Sequence, residues 1–423
     1  MKANCYGVTD IGSVRKSNED FYLIDEDLSL FIVCDGVGGS LCGEVASEVS
    51  ARTIREGVQK HRAVIERYSQ EKSKAHRDAV AQMLQAAVQA ANAKIWAVSE
   101  SDERKRGMCT TTDVLLLAGD HAFLAHVGDS RIYLLRDGKV HQLTSDHKVA
   151  EEMQKQGLWT AEDALKSGYS NVLTRAVGAQ KYVQCDTLLV ELNKGDTFLV
   201  CSDGLHNYFK GNEFAEYATK VDLPRLPQEM IKFAKEHGGR DNITAVVVRM
   251  DEQVHTSVAF DALKKTETLG KVPLFKYLTY SELMQVLSLV RMQTFSGGHE
   301  LMREGGMGDE MYIIVSGSVE VLKGGQVLAK RGKGEIFGDM GLFDNAPRSA
   351  TVRTAESTTA MSITRKELLT LLRRDSQIAV KFLWSLNQEL SSRLRRTSQE
   401  LAEAKAGLST PFIGEVPFPL PKD

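Results

Sequence analysis

Leu30-Phe-Ile-Val-Cys-Asp-Gly-Val-Gly-Gly39 opens with five apolar, strand-forming residues and stops on an acidic Asp-Gly pair. A short apolar run bounded by turn residues reads as a β-strand, and this one delivers Asp35 to its end. Four more aspartates lie in equally compact motifs: Asp20 in Ser17-Asn-Glu-Asp-Phe21, Asp129 in Val127-Gly-Asp-Ser-Arg131, Asp203 in Cys201-Ser-Asp-Gly-Leu205 and Asp241 in Gly239-Arg-Asp-Asn-Ile243. Asp35, Asp129, Asp203 and Asp241 each flank an apolar run, so each is expected at a strand end. One Asp-Gly pair is ordinarily a turn or a cap. Five aspartates in such settings point instead to a shared centre. Carboxylates gathered there repel one another unless protons or cations neutralise them. Hard divalent cations with oxygen ligands, Mn²⁺ or Mg²⁺, are the natural counter-charge. Two such ions about 3.5–4 Å apart activate water and clamp a phosphate.

The wider series is Asp10-Ile-Gly-Ser-Val-Arg15, Asn18-Glu19-Asp20, Cys34-Asp35-Gly36-Val-Gly-Gly39, Gly43-Glu-Val-Ala-Ser47, Val127-Gly-Asp-Ser-Arg131, Leu173-Thr-Arg-Ala-Val-Gly178, Ser202-Asp-Gly-Leu205 and Asp241-Asn-Ile-Thr244. In order and spacing it resembles the bacterial metal-dependent protein phosphatases of the type-2C (PPM) family, over about residues 1–250. The resemblance implies that Asp35 bridges two metals and that the Gly36 carbonyl binds the second. It implies that Asp203 and Asp241 complete the first metal site, and that Asp129 with Asp203 holds a third, weaker ion. Glu19 and Asp20 would act mainly through water held by the metals, and Arg15 would grip the substrate phosphate. Phosphoserine and phosphothreonine proteins are the implied substrates, with phosphotyrosine a poor one. Two stretches depart from the pattern without removing a ligand: Gly38-Gly39-Ser40, where relatives carry Gly-Gly-His, and Cys109-Thr-Thr-Thr112, where they carry Gly-Thr-Thr.

Leu30–Cys34, Val114–Ala118, Ala122–Val127, Ile132–Leu135, Thr197–Cys201 and Ile243–Arg249 read as strands, and Arg136-Asp-Gly-Lys139 as a hairpin turn. Glu44–Ile65 and His76–Ser99 read as amphipathic helices, the second with Val80, Leu84, Ala87, Ala91 and Ile95 on one stripe. The fold class predicted is α+β, and the family's fold is an antiparallel β-sandwich flanked by helices. Residues 148–170 read as polar and helical. They lie where the family carries a flap, and they fit an ordinary surface helix pair equally well.

A chain of 423 residues has room for two or three domains. Its net charge of −3 argues against a nucleic-acid partner bound by bulk electrostatics. Cysteines 5, 34, 42, 109, 185 and 201 show neither paired nor CxxC spacing, which suits a reducing compartment. Met1-Lys-Ala-Asn-Cys-Tyr-Gly7 lacks the apolar core of a signal peptide, and the longest apolar stretch, about Val114–Ala118, is far short of a membrane span. A cytoplasmic protein without a membrane partner is expected.

Residues 251–270 read as a polar linker. Beyond it, twelve glycines fall between Gly297 and Gly341, separating short apolar runs at Met311–Val315, Val319–Leu322 and Val327–Leu328. Frequent turns between short strands predict a jelly roll over about 271–390, with a helix before it (Ser281–Val290) and a longer one after it (Arg365–Glu403). Gly305–Val321 and Gly334-Glu-Ile-Phe-Gly-Asp-Met-Gly-Leu-Phe-Asp-Asn-Ala-Pro-Arg-Ser-Ala-Thr-Val352 resemble the cyclic nucleotide-binding domain and its phosphate-binding cassette. The resemblance implies that Gly338, Asp339, Gly341, Arg348 and Ser349 contact a cyclic purine nucleotide, cAMP favoured over cGMP. Arg348 would close over the phosphate. Asp339 would face the ribose 2′-hydroxyl, one methylene shorter than the family's usual Glu. A barrel that has kept the fold and lost the ligand is the alternative. Leu383, Leu386, Leu390, Leu394 and Leu401 mark a stripe suited to a lid over the nucleotide or to a short dimer seam, leaving the oligomeric state open. Residues 391–423 end that helix and run into a Pro-rich tail. The expected whole is a serine/threonine protein phosphatase with a cyclic nucleotide sensor. The alternatives are a pseudophosphatase serving as a binding module, and an active phosphatase whose barrel only docks.

Overall fold

The structure, a computed structural model, describes residues 3–37, 42–209, 213–251, 266, 268–342 and 346–408. The Gly38-Gly39-Ser40 departure, most of the expected linker and the Pro-rich tail lie outside them. The described chain divides into two compact units: residues 1–268 with 279–292, and residues 269–278 with 293–423.

In the first unit the strands are β1 (Ala3–Asp10), β2 (Asp20–Asp25), β3 (Leu30–Val37), β4 (Cys109–Thr110), β5 (Thr112–Ala118), β6 (His121–Val127), β7 (Arg131–Arg136), β8 (Lys139–Gln142), β9 (Asp186–Glu191), β10 (Thr197–Cys201) and β11 (Ile243–Met250). They form two antiparallel sheets, β1-β11-β10-β7-β8 and β2-β3-β5-β6-β9, with β4 paired to β3. Side chains alternate across a strand, and β3 buries both of its faces. Phe31 and Val33 join Phe198, Val200, Val246 and Val248 of the facing sheet in the sandwich core. Leu30, Ile32 and Cys34 point the other way, onto a helical layer. A strand covered on both sides must be apolar throughout, which is why 30–34 reads as one unbroken run.

The layer against β3 is α1 (Gly43–Lys60), α2 (Arg62–Gln70) and α3 (Lys74–Ser101), through Ala46, Ile54, Val80, Leu84 and Ile95. The single helix expected over 44–65 is therefore two. His61 interrupts it at φ −107°, its backbone N–H still reaching Gly57 O and its ring nitrogen Nδ1 lying 2.9 Å from the same oxygen. Next come α4 (Val149–Lys155) and α5 (Ala161–Lys166), as the 148–170 reading expected, and α6 (Asp203–His206). On the outer face of the other sheet lie α7 (Glu213–Lys220) and α8 (Leu226–Glu236), where Phe214, Met230 and Ile231 cover Leu199, Ala245 and Val247.

Helix α9 (Tyr280–Leu287) is the one expected to open the barrel domain, but it belongs to the first unit. Met284 is buried in the sandwich core, with Tyr280, Leu283 and Leu287 packed beside it. Tyr280 stacks on His141 at 3.9 Å between ring centroids, and its hydroxyl accepts from Arg136 at 2.8 Å. Arg136 is itself buried and paired with Asp196. Arg77 donates to Ser288 O just past the helix.

The second unit holds two four-stranded sheets. β12 (Arg291–Phe295), β14 (Glu310–Ser316), β17 (Ile336–Phe337) and β19 (Thr358–Thr364) run in the order β12-β19-β14-β17. β13 (Glu300–Met302), β15 (Val319–Lys323), β16 (Gln326–Arg331) and β18 (Thr351–Thr354) run β13-β18-β15-β16. Met302, Tyr312, Ile314, Val319, Phe337, Val352 and Ala360 fill the barrel, with the Tyr312 and Phe337 rings stacked at 5.2 Å. Two helices follow, α10 (Arg365–Arg374) and α11 (Ser376–Leu408), divided at Asp375 where one was expected. The leucine stripe of α11 does not pack inward: Leu383, Leu390, Leu394 and Leu401 are at least half exposed. Its buried face is Ile378, Phe382 and Ser385, and Phe382 meets Phe275 at 5.9 Å. No helix among the described residues is long and apolar enough to cross a membrane.

Candidate active site

The sandwich brings the scattered aspartates to one end of its two sheets. Asp35 sits near the end of β3, directly opposite Asp20 at the start of β2. The strand runs three residues further than expected, to Val37, because Gly36 and Val37 pair with Thr110 and Cys109 of β4. Asp129 follows β6, Asp203 opens α6 after β10, and Asp241 precedes β11. Asp10, Arg15 and Glu19 come from the end of β1 and the loop to β2.

Hydrogen bonds fix the backbone under these carboxylates. The Asp35 N–H donates to Thr111 Oγ1 at 2.9 Å, and the Asp35 carbonyl accepts from the Thr111 N–H and Thr110 Oγ1, both at 2.9 Å. The threonines of the departing Cys109–Thr112 stretch thus hold the central ligand strand. Glu19 is clamped from three sides: its N–H donates to Asn242 Oδ1, and its carbonyl accepts from Ser47 Oγ and the Gly36 N–H. A Cβ on Gly36 would collide with the Gly43 and Glu19 carbonyls, so only glycine fits there. Asp20 Oδ2 accepts from Ser202 Oγ at 2.7 Å and Thr244 Oγ1 at 2.6 Å.

The cluster is short of positive charge. Burial pushes Asp35 well above the ordinary carboxylate range, and the charges of Asp20, Asp203, Asp129 and Asp241 add to that. Burial likewise raises Asp20 to about 7, against the two hydroxyls that lower it, and raises Asp203 to about 6 with Asp129 adding to the shift. Asp20 Oδ1 is buried with no partner among the described residues. Two cations answer the cluster. Arg15 Nη2 lies 2.6 Å from Asp241 Oδ2, and Lys148 Nζ lies 2.7 Å from Asp129 Oδ2. Among the described residues no group of three or more His, Cys, Asp or Glu side chains stands ready to hold a metal ion. Asp241, Asp129 and Asp20 are turned onto Arg15, Lys148 and the two hydroxyls instead. An all-oxygen donor set with an orphaned buried oxygen and unbalanced negative charge fits hard divalent cations.

Sequence reasoning placed no role on Ser202, Thr244, Asn242 or Ser47, although all four stand inside the quoted motifs. It also passed over Lys148, at the head of the expected flap, and His206, whose Nε2 donates to Asp129 O at 2.8 Å. Burial holds His206 neutral, lowered to about 3.

The cassette residues gather in the second unit. Gly338 stands at φ +76°, where a Cβ would strike Met302 and the Glu310 carbonyl. Gly341 is buried in the single turn that follows. Arg348 spans this loop, donating to Gly338 O at 3.0 Å and Glu310 O at 2.7 Å. One of these carbonyls belongs to the cassette and the other to β14. Ser349 lies beside it, its carbonyl accepting from Lys323. Asp339 is buried and paired with Arg393 of α11 at 2.8 Å. Cassette residues 343–345 lie outside the described chain.

A model of the protein phosphatase 2C family matches residues 13–246, and a model of the cyclic nucleotide-binding domain matches residues 292–375. Protein phosphatase PhpP of Streptococcus pneumoniae is 34% identical over 250 residues, 58% of this chain and 97% of that protein. Serine/threonine phosphatase stp of Listeria monocytogenes is 34% identical over 247 residues, 57% of this chain and 94% of that one. Among solved structures, the Mycobacterium tuberculosis serine/threonine phosphatase PstP/Ppp superposes with a TM-score of 0.51 at 30% identity, covering 59% of this chain and 99% of its own.

Proposed function

Because the chain belongs to the protein phosphatase 2C family, we propose that its first unit hydrolyses phosphoserine and phosphothreonine esters of proteins, with Mn²⁺ or Mg²⁺ held at the aspartate cluster. The observation that carries this reading is the under-neutralised set of Asp35, Asp20 and Asp203, each raised by burial, with Asp241 beside them at the rim. Asp35, Asp203, Asp241 and the Gly36 carbonyl are the residues to hold two ions. Bound there, such ions acidify water to a usable nucleophile near neutral pH and neutralise phosphate charge.

The chain's own residues do the rest. Glu19, at the end of the loop before β2, and Asp20, opposite Asp35 at the start of β2, order solvent around the cluster. Arg15, the exposed cation at its rim, swings from Asp241 to orient the phosphate, a charge-assisted contact that guanidinium geometry favours. Water attacks phosphorus in line, the P–O ester bond breaks, and the protein hydroxyl leaves with a proton while inorganic phosphate departs. No phosphoenzyme forms. The test is turnover of a phosphothreonine peptide with Mn²⁺, with EDTA, and in Asp35→Asn. EDTA and the variant each lower the rate at least about a hundredfold; a folded Asp35→Asn protein at wild-type rate removes the assignment.

The second unit is read as a sensor for a cyclic purine nucleotide, with Arg348 as the phosphate anchor. Support comes from its position across Gly338 and Gly341, with its guanidinium held against the Gly338 carbonyl at 3.0 Å. Calorimetry on the full chain tests it. Arg348→Ala weakens binding by roughly ten- to a hundredfold, and no heat with either nucleotide at millimolar concentration would leave the barrel a docking module.

A further inference from the structure

Asp129 was expected to hold a third cation with Asp203, yet its carboxylate already has a partner. Lys148 Nζ lies 2.7 Å from Asp129 Oδ2, and both side chains are nine-tenths buried. Among the described residues, Asp146 is the other carboxylate within salt-bridge reach of that ammonium, at 3.9 Å. Asp146 is already satisfied, because Arg131 grips both of its oxygens at 2.8 and 2.9 Å. The Lys148 charge is therefore committed to Asp129.

The backbone also fixes this pairing. The His147 N–H donates to Gly128 O at 2.8 Å, and the Gly128 N–H donates back to His147 Nδ1 at 3.1 Å. The Thr174 N–H holds the His147 carbonyl at 2.8 Å, and Lys148 bridges Leu173. Residues 128–129 and 147–148 are thereby locked side by side, with the lysine stem as a tether of set length. Asp203, the other expected ligand of a third ion, also feels the Lys148 charge. A divalent ion at Asp129 would have to sit against a resident ammonium in a buried, poorly screened place. Coulomb repulsion there disfavours it.

We propose that the Lys148 ammonium is a built-in substitute for the third cation, so that the chain binds two divalent ions where Asp129 and Asp203 alone would bind three. This rests on the reading of the aspartate cluster as a divalent-metal centre. It turns the opening residue of the flap-like segment into part of the charge balance of the site.

The test is a count of bound Mn²⁺. Full-length protein stripped with chelator is titrated with Mn²⁺, and free ion is followed by electron paramagnetic resonance. Wild type is expected to hold two ions per chain, and Lys148→Ser and Lys148→Met three. Lys148→Ser combined with Asp129→Asn returns to two. Three ions on wild type, with one lost in Asp129→Asn, overturns the proposal, as does a count of two in both folded Lys148 variants. Failure of wild type to bind any Mn²⁺ is a different result and overturns the metal-centre reading itself.

Discussion

Burial raises the Asp20 and Asp203 carboxylates toward neutral pH, and this gives the site a testable pH signature. Their folded values, about 7 and about 6, stand above the ordinary carboxylate value of 3.8. A raised carboxylate binds its proton more tightly when folded, so its contribution to stability is full below the unfolded value and lost as pH rises through the folded one. Metal-free protein therefore loses stability at these positions between about pH 4 and 7. His147 and His206 act oppositely, since burial holds them at about 4 and about 3 and their contribution is lost as pH falls. The difference between melts with and without Mn²⁺ cancels the histidines and isolates the cluster. We expect Mn²⁺ to raise the melting temperature more at pH 8 than at pH 5. An increment that is equal at the two, or larger at pH 5, would contradict the charge accounting of the site.

At the scale of elements, the strands were legible because each answers to two burial constraints at once. Residues 30–34 face helices on one side and the other sheet on the other, and no polar residue survives there. Helix contacts were less legible, because a stripe shows which residues share a face and says nothing about what covers it. The leucines of α11 share a face, but it is the exposed one, and the inward face is set by Ile378 and Phe382. Lys148 escaped for the converse reason: lysine in a polar segment reads as solvated, and only the fold brings Asp129 against it. Paired substitutions measure the difference. Met284→Ala in α9 removes a buried side chain and should cost about 2–5 kcal/mol by calorimetry. Leu394→Ser on the exposed face of α11 should change stability by no more than about 0.5 kcal/mol. A near-neutral Met284→Ala would mean that α9 is only laid against the sandwich.

At the scale of the molecule, the phosphatase unit could be traced from motifs because its clustered aspartates sit at strand ends, each marked locally. The boundary between the units could not, because it is not a single place. The backbone leaves the first unit after 268, returns at 279 and leaves again after 292. Composition shows where glycine-rich strands begin but not which core a short amphipathic helix joins.

That double crossing makes α9 a borrowed part. The sequence carries it inside the second unit, between Pro273–Phe275 and β12, while Met284 and Tyr280 complete the phosphatase unit. A catalytic fragment cut at residue 250 would expose the apolar seat of Met284 and leave the buried Arg136 without its Tyr280 hydroxyl. Such a fragment should melt lower and aggregate more readily than one ending at 292. If the intact chain is nicked near 278 and near 293, the short peptide between the cuts should co-elute with the catalytic fragment. The two units of this chain are therefore not joined end to end: any exchange of the second unit has to leave that helix behind.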